Sequence, residues 1–123
     1  MRKLLINCAI NPLTAIHNCR NGELLTNKAW LAQALAVCDE FAAVANGRGM
    51  LDIGAQAREI ALAVMASTAA NQSSMLQDIQ QGRETEIDYI TGWLCTEAQR
   101  LQLPCPHNQA LLEQVHSLSR STR

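Results

Sequence analysis

A lysine and two asparagines follow one another at steps of four residues near the start of the chain: Lys3, Asn7 and Asn11. In a helix each step of four advances about 40° around the axis, so the three side chains lie along one edge. An ammonium can supply charge or a proton, and two carboxamides can orient a small oxygen-rich molecule. By spacing alone, a solvated helix edge is the commoner origin of such a pattern.

A second polar cluster lies in the stretch SSMLQDIQQGRETEIDYI. A polar break before Ser74 opens a helix, and Glu86 follows one short helix later. Free backbone amides and a hydroxyl at a helix start suit a carboxylate ligand. The ordinary alternatives are a serine that only caps its helix and, for Arg83, Glu84, Glu86 and Asp88, a solvated face with local ion pairs.

Other motifs point to no cofactor or metal site. Three glycines imitate part of a dinucleotide-binding loop, but they follow a helix and lack the final close glycine: Gly47, Gly49 and Gly54. The histidines are scattered without zinc-site spacing: His17, His107 and His116. A cysteine paired with a histidine as nucleophile stays open, although no third orienting group is evident.

The 123 residues correspond to one domain. A formal net charge of -1, with 17% charged residues, provides no field that would collect nucleic acid or anionic lipid. Five cysteines without a CxxC pair favour free thiols in a reducing cytoplasm. The start MRKLLINCAIN imitates a secretory signal but lacks a cleavage site, and no run of about 18 apolar residues could span a membrane.

The chain is predicted to be all-α, a single domain of about five to seven helices. Apolar residues recur at steps of three and four, and no strand-length window alternates. The predicted helices cover 2–17, 26–44, 55–69, 73–81, 85–102 and 107–117. Thr26 is the expected N-cap of the second helix, 45–54 a loop, and the tail 119–123 is expected to fray. The inner face of the second helix is predicted to carry Leu31, Leu35, Cys38 and Ala42.

Taken together, the two polar clusters resemble the C-terminal helical domain of the ketopantoate reductases (2-dehydropantoate 2-reductases). The resemblance rests on KLLINCAINPLTAIHNCRNGEL, on SSMLQDIQQGRETEIDYITG, and on the later Ala98, Leu103-Pro104 and Pro106-His107-Asn108. It covers nearly the whole chain. It implies a helical fold similar to the C-terminal domain of the 6-phosphogluconate dehydrogenases.

The resemblance implies a reaction in which NADPH gives hydride to the ketone of ketopantoate, forming pantoate on the route to pantothenate and coenzyme A. The choice of NADP over NAD comes from the family alone. Lys3 matches the lysine that donates a proton to the nascent alkoxide, which suits a charged amine beside a carbonyl oxygen. Asn7 and Asn11 match the asparagines that hold the substrate's oxygens, and Asn21 matches a further substrate contact.

The same resemblance assigns the second cluster. Ser74 matches the serine that meets the substrate carboxylate, and Met75, Leu76 and Gln77 are expected to supply backbone amides beside it. Glu86 matches a glutamate near the lysine and the nicotinamide end of the cofactor. A carboxylate there would position the ammonium and hold it charged.

Members of this family begin with a Rossmann domain, whereas this chain starts two residues before Lys3. We therefore expect residues 1–123 to be the substrate-side domain without its cofactor half, through design, proteolysis or gene truncation, and to be nearly inactive alone. One alternative is a non-catalytic helical module derived from such an enzyme, which binds a partner or forms a homo-oligomer, such as a dimer, through the face left by the missing domain. Another alternative keeps the fold and takes a different substrate, either another 2-keto acid or a 3-hydroxy acid.

Overall fold

The apolar spacing folds as helix throughout the part of the chain described by the computed structural model, residues 1–122. Those residues contain no strand, and the all-α prediction is confirmed. The helices are α1 (Arg2–His17), α2 (Glu23–Thr26), α3 (Lys28–Gly47), α4 (Leu51–Ser67), α5 (Ser74–Gln80), α6 (Ile87–Arg100) and α7 (Pro106–Thr122).

Helix α1 is the central helix and packs against α3, α4, α5, α6 and α7. Its second half is buried on all sides, as expected of a helix that is apolar around most of its circumference. Pro12 lies inside it and has no backbone N–H to donate. The Thr14 hydroxyl lies 3.1 Å from both the Ile10 and Asn11 carbonyl oxygens, so it can satisfy a backbone acceptor near the proline.

The predicted N-cap Thr26 is wrong by one residue. Thr26 ends the one-turn helix α2, which the sequence prediction missed, and its hydroxyl donates to the Glu23 carbonyl. Asn27 caps α3 instead, because its Oδ1 accepts the Trp30 backbone N–H at 3.1 Å. Both residue types are good caps, and the extra turn of α2 decides between them.

The predicted loop 45–54 is also wrong. Helix α3 continues to Gly47, α4 begins at Leu51, and only Gly49 needs the left-handed conformation, at φ 79°. Gly54 lies inside α4, where a Cβ would come within 2.0 Å of Asn46 Oδ1. That glycine leaves room for the exposed Asn46 side chain and does not break the chain.

The buried face of α3 differs from the predicted one. Of the predicted inner residues only Cys38 is buried, and the others are half-buried. Helix α3 packs against α1, α4 and α7, so a wider face is covered. Its buried residues are Ala34, Val37, Cys38, Phe41, Val44 and Ala45.

The last two helices pack on each other, and each differs slightly from its predicted bounds. The Glu40 carboxylate from α3 caps α7, with Oε2 accepting from His107 N and Oε1 from Asn108 N, both at 2.9 Å. Residues 119–122 of the tail expected to fray continue α7, and position 123 lies outside the described residues. No helix in the described chain is long and apolar enough to cross a bilayer.

Candidate functional site

The polar edge of α1 runs from solvent into the protein. Lys3 is exposed, Asn7 is half-buried, and Asn11 is only 8% exposed. The Asn11 amide nitrogen lies 3.5 Å from Asn7 Oδ1, so the structure brings the two carboxamides together. Within the described residues, the Lys3 ammonium has no hydrogen bond or ion pair, which leaves its charge available to a ligand.

The turn after α1 is held by the segment that precedes α5. The backbone N–H of Asn21 donates to Asn71 O at 3.0 Å, and that of Gly22 donates to Ala69 O at 3.1 Å. Asn21 Nδ2 donates to Thr68 Oγ1 at 2.9 Å, whereas its buried Oδ1 has no hydrogen-bond partner. A Cβ on Gly22 would lie 2.5 Å from the Ala69 Cβ, so this close approach requires glycine.

A hydroxyl pair joins α1 directly to the start of α5. Thr14 Oγ1 lies 2.6 Å from Ser73 Oγ, and Ser73 Oγ also accepts the Leu76 N–H at 3.1 Å as the N-cap of α5. Thr14 is one turn beyond Asn11, the deepest residue of the polar edge. The pair therefore fixes the exposed Ser74 relative to that edge.

The structure corrects the expectation of free amides at Leu76 and Gln77. The Leu76 amide is bonded to Ser73 Oγ and the Gln77 amide to Ser73 O, because the cap occupies them. The side chains of Met75 and Leu76 are buried in the core. Among residues 74–77, only the side chains of Ser74 and Gln77 face solvent.

A polar cavity of about 460 Å³ lies between the Asn21 turn and the start of α5. It is lined by Arg20, Ala70, Asn71, Gln72 and Gln77. Arg20 donates from Nη1 to the Ala70 carbonyl at 2.5 Å, which places a cation at the rim. Arg20 was not among the predicted site residues, although its position next to Asn21 in NCRNGEL was a usable signal.

Glu86 lies at the start of α6, on a different element from the other predicted site residues. It occupies the N-cap position of α6, is exposed, and makes no ion pair with Lys3. In the neighbouring charge run, Arg83 forms a local pair with Asp78 at 3.1 Å, as expected of a solvated face. Asp88 instead accepts a contact from another helix, with its Oδ1 2.7 Å from His116 Nε2 on α7. The structure therefore does not assemble Lys3 and Glu86 into one contact.

The residues present do not form a dinucleotide-binding turn. Within residues 1–122 no strand precedes any glycine; Gly47 ends α3, Gly49 lies in the following turn, and Gly54 is inside α4. A Rossmann phosphate site needs a strand, a glycine turn and a helix in that order. In the same part of the chain, no group of three or more histidine, cysteine or acidic side chains is arranged to hold a metal ion.

Comparison with known proteins gives consistent results. The family model described as "Ketopantoate reductase PanE/ApbA C terminal" matches residues 1–119. The 2-dehydropantoate 2-reductase of Shigella flexneri is 46% identical over 114 residues, covering 93% of this chain and 37% of that protein. The enzyme of that name from Vibrio cholerae is 41% identical over 120 residues, covering 98% and 40%. The chain thus spans well under half the length of these relatives.

Solved structures share the fold. The probable 2-dehydropantoate 2-reductase of Bacillus subtilis superposes with a TM-score of 0.82 at 38% identity, covering 95% of this chain and 39% of that one. A D-mandelate dehydrogenase solved with NADH and anilino(oxo)acetate gives 0.90 at 27% identity, covering 98% and 40%. A dimeric ketopantoate reductase from Staphylococcus aureus gives 0.83, covering 99% and 43%, and its 20% identity shows the fold alone.

The family match spans nearly every described residue, and it includes both polar clusters. The resemblance inferred from the sequence is therefore confirmed at the level of the family. The chain belongs to the ketopantoate reductase C-terminal domain family.

Proposed function

We propose that this chain is the substrate-side domain of a 2-dehydropantoate 2-reductase, an oxidoreductase that reduces ketopantoate to pantoate for pantothenate and coenzyme A synthesis. The observation that carries the proposal is the graded polar edge of α1, with an unpaired ammonium at Lys3 and paired carboxamides at Asn7 and Asn11. The 46% identity to a protein named 2-dehydropantoate 2-reductase supports the proposal.

In this proposal Lys3 acts on the reacting oxygen. An ammonium beside the carbonyl oxygen would stabilise the negative charge that develops there during reduction and then donate its proton. The absence of a competing ion pair at Lys3, within the residues described, suits this role. Asn7 and Asn11 orient the substrate's oxygens by donating and accepting hydrogen bonds.

The other end of the substrate would lie against the α1–α5 junction. The exposed hydroxyl of Ser74 can donate to the substrate carboxylate, and the buried pair of Thr14 and Ser73 holds its backbone in place. Asn21 Oδ1 is a buried acceptor without a partner, which is energetically costly. We expect this oxygen to gain a donor when ligand binds.

By the family resemblance, NADPH supplies the hydride when it is bound. The described residues do not fit that group, because they contain no strand and glycine turn, and Glu86, assigned to the cofactor side, stands alone at the start of α6. We therefore derive no step through the cofactor and propose that the chain by itself binds ligand weakly and turns over little. Five cysteines, unpaired in the structure, are compatible with the expected cytoplasmic location.

A second candidate is a non-catalytic module that self-associates. Two large apolar side chains are mostly exposed, Leu51 on α4 at 64% and Tyr89 on α6 at 80%. Burial of these two side chains against another copy of the chain would remove apolar surface from water. This candidate predicts a concentration-dependent mass in sedimentation and no response to ketopantoate.

The deciding experiment is a titration of the ¹⁵N-labelled chain with ketopantoate, and separately with 2-oxoisovalerate, a 2-oxo acid without the hydroxymethyl group. We expect saturable amide shifts at residues 3–11 and 21, and around Ser74, with tighter binding of ketopantoate. Equal affinity for both acids would favour a different 2-oxo acid as substrate.

The chain offers a matched charge control, because Lys28 is its only other lysine and is exposed at the start of α3. Lys3→Ala should weaken ketopantoate binding severalfold, and Lys28→Ala should leave it unchanged. Equal titration curves for wild type and Lys3→Ala would contradict the proposal.

A further inference from the structure

An arginine without a carboxylate partner lines the polar cavity between the turn after α1 and the start of α5. Four other arginines each form an ion pair with an acidic side chain: Arg48, Arg58, Arg83 and Arg100. Among the described residues, the exposed guanidinium of Arg20 forms no ion pair, and the one hydrogen bond of its side chain runs from Nη1 to the Ala70 carbonyl at 2.5 Å. No carboxylate of the described chain therefore neutralises this charge.

The segments on both sides of the cavity hold Arg20 in place. Its N–H donates to Glu23 Oε2 at 2.5 Å, and the N–H of the next residue, Asn21, donates to Asn71 O at 3.0 Å. Glu23 does not line the cavity. The bond to Ala70 O uses one donor of the guanidinium. The N–H groups on Nε and Nη2 stay available, and together they can bind a carboxylate through two parallel hydrogen bonds.

The other polar residues of the cavity are also available to a ligand. Asn71, Gln72 and Gln77 line it, and within the described chain their side-chain amides make no hydrogen bond. None of the described lining residues is acidic, so the cavity combines one cation with three carboxamides. Amide N–H groups donate to oxygen, and the planar guanidinium matches the geometry of a carboxylate. This lining favours a carboxylate as ligand.

The carboxylate of a bound 2-oxo acid needs such a cation at this junction. Ser74 offers one neutral hydroxyl, and Ser73 occupies the backbone amides of Leu76 and Gln77. A carboxylate that leaves water is costly to bind unless a charged donor compensates it. Gln77, three residues after Ser74, lines the same cavity as Arg20. The cavity therefore adjoins the segment proposed to meet the carboxylate.

We propose that Arg20 is a specificity-determining residue: its guanidinium binds the carboxylate of the 2-oxo acid in this cavity, and the carboxamides of Gln72 and Gln77 donate to the same group. This role rests on the proposed function, in which the ketone lies toward Lys3 and the carboxylate toward the α1–α5 junction. A charged acid is then bound more tightly than a neutral molecule with the same ketone and hydroxyl. Arg20 acts on binding and takes no part in proton transfer.

Two ligands that differ in charge test this role: ketopantoate and its methyl ester. The ¹⁵N-labelled chain is titrated with each. We expect the wild type to bind the acid about tenfold more tightly than the ester, and the acid to shift the Nε–Hε resonance of Arg20 together with the amides of 71–77. Arg20→Gln should bind the acid about as weakly as the ester, and its affinity for the ester should equal that of the wild type.

Two further variants serve as controls. Arg58→Gln removes the same charge from an exposed arginine that pairs with Asp39 and does not line the cavity, so both affinities should stay unchanged. Arg20→Lys keeps the charge but cannot form two parallel hydrogen bonds, so its affinity for the acid should be intermediate. The ¹⁵N spectrum of each free variant shows whether the fold is retained.

The outcomes separate the role of Arg20 from the proposed function. Equal affinity of wild type and Arg20→Gln for ketopantoate, with saturable shifts at residues 3–11, would overturn this role and leave the proposed function standing. An equal loss of acid and ester binding in Arg20→Gln would assign Arg20 to the structure of the turn and also overturn its role. If 2-oxoisovalerate binds as tightly as ketopantoate and depends equally on Arg20, the role stands and the choice of ketopantoate fails. No saturable shift with either acid would overturn both.

Discussion

The hydroxyls of Thr14 on α1 and Ser73 at the start of α5 lie 2.6 Å apart, and both side chains are buried. A consistent set of donors exists: Leu76 N–H donates to Ser73, Ser73 O–H donates to Thr14, and Thr14 O–H donates to the Ile10 carbonyl. Every member of this chain of hydrogen bonds is then satisfied, as buried polar groups need to be. Through it, the backbone of the central helix determines where α5 begins.

Adjacent serines therefore have separable roles. Ser73→Ala removes the N-cap of α5 and the partner of Thr14, so we expect a loss of about 1–2 kcal/mol in the free energy of unfolding. Ser74→Ala removes an exposed hydroxyl and should change stability by less than about 0.5 kcal/mol while weakening ketopantoate binding. Urea unfolding measures the loss of stability, and the ligand titration measures the loss of ketopantoate affinity. A large loss of stability in Ser74→Ala, with weakened binding only in Ser73→Ala, would refute this division of roles.

The N-terminus of α3 provides a second stability test. Asn27→Ala deletes the side chain that accepts the Trp30 N–H, so we expect a loss of about 1 kcal/mol. Thr26→Ala, at the position that sequence alone favoured, should cost less than about 0.5 kcal/mol because that residue is exposed at the end of α2. Urea unfolding measures the free energy of unfolding of the two variants. A larger loss in Thr26→Ala than in Asn27→Ala would identify Thr26 as the N-cap of α3.

Local signals were sufficient for α1, whose observed bounds match the predicted 2–17. Its apolar residues recur as far as Ile16, and Asn18 ends it in the left-handed conformation, at φ 52°, with its N–H donating to Thr14 O. Local signals failed where packing between helices decides. Gly54 lies against the Asn46 side chain of the preceding helix, and the sequence positions of the glycines do not reveal that contact.

The candidate site divides in the same way. The spacing of Lys3, Asn7 and Asn11 on one helix was readable from the sequence, since helix geometry alone places them together. The bonds of Asn21 to Thr68 and Asn71 join residues about 50 positions apart, so no local pattern could reveal them. Which backbone amides after Ser74 are free likewise depends on which residue caps α5, and that residue is Ser73.

Buried thiols should make the chain less stable in alkali. Burial raises the pKa of Cys38 from 9.0 to about 11, helped by Asp39 and opposed by Arg58. The unfolded thiol ionises near pH 9 while the folded one stays protonated. Its contribution is therefore complete below pH 9 and falls between pH 9 and 11, by at most about 1.4 kcal/mol per pH unit.

Urea unfolding across that pH window tests this linkage. Cys38→Ala should lower stability at every pH because a buried sulfur is lost, yet the decline between pH 9 and 11 should be shallower than in wild type. Ser74→Ala, an exposed position, should keep the full decline. An unchanged slope in Cys38→Ala would show that other groups cause the alkaline loss.

The role of Lys3 separates from that of its neighbour Asn7 once a cofactor-binding half is supplied in the same polypeptide. Lys3→Ala should lower kcat far more than it weakens substrate binding, because the ammonium interacts most strongly with charge that exists only in the transition state. Asn7→Ala should weaken both, since a carboxamide that orients the substrate acts before and during the reaction. NADPH oxidation with ketopantoate measures the two parameters, and small, equal effects from both variants would contradict the assignment. The chain alone provides the reference: activity in it that Lys3→Ala abolishes would mean that these helices bind the cofactor without a Rossmann domain.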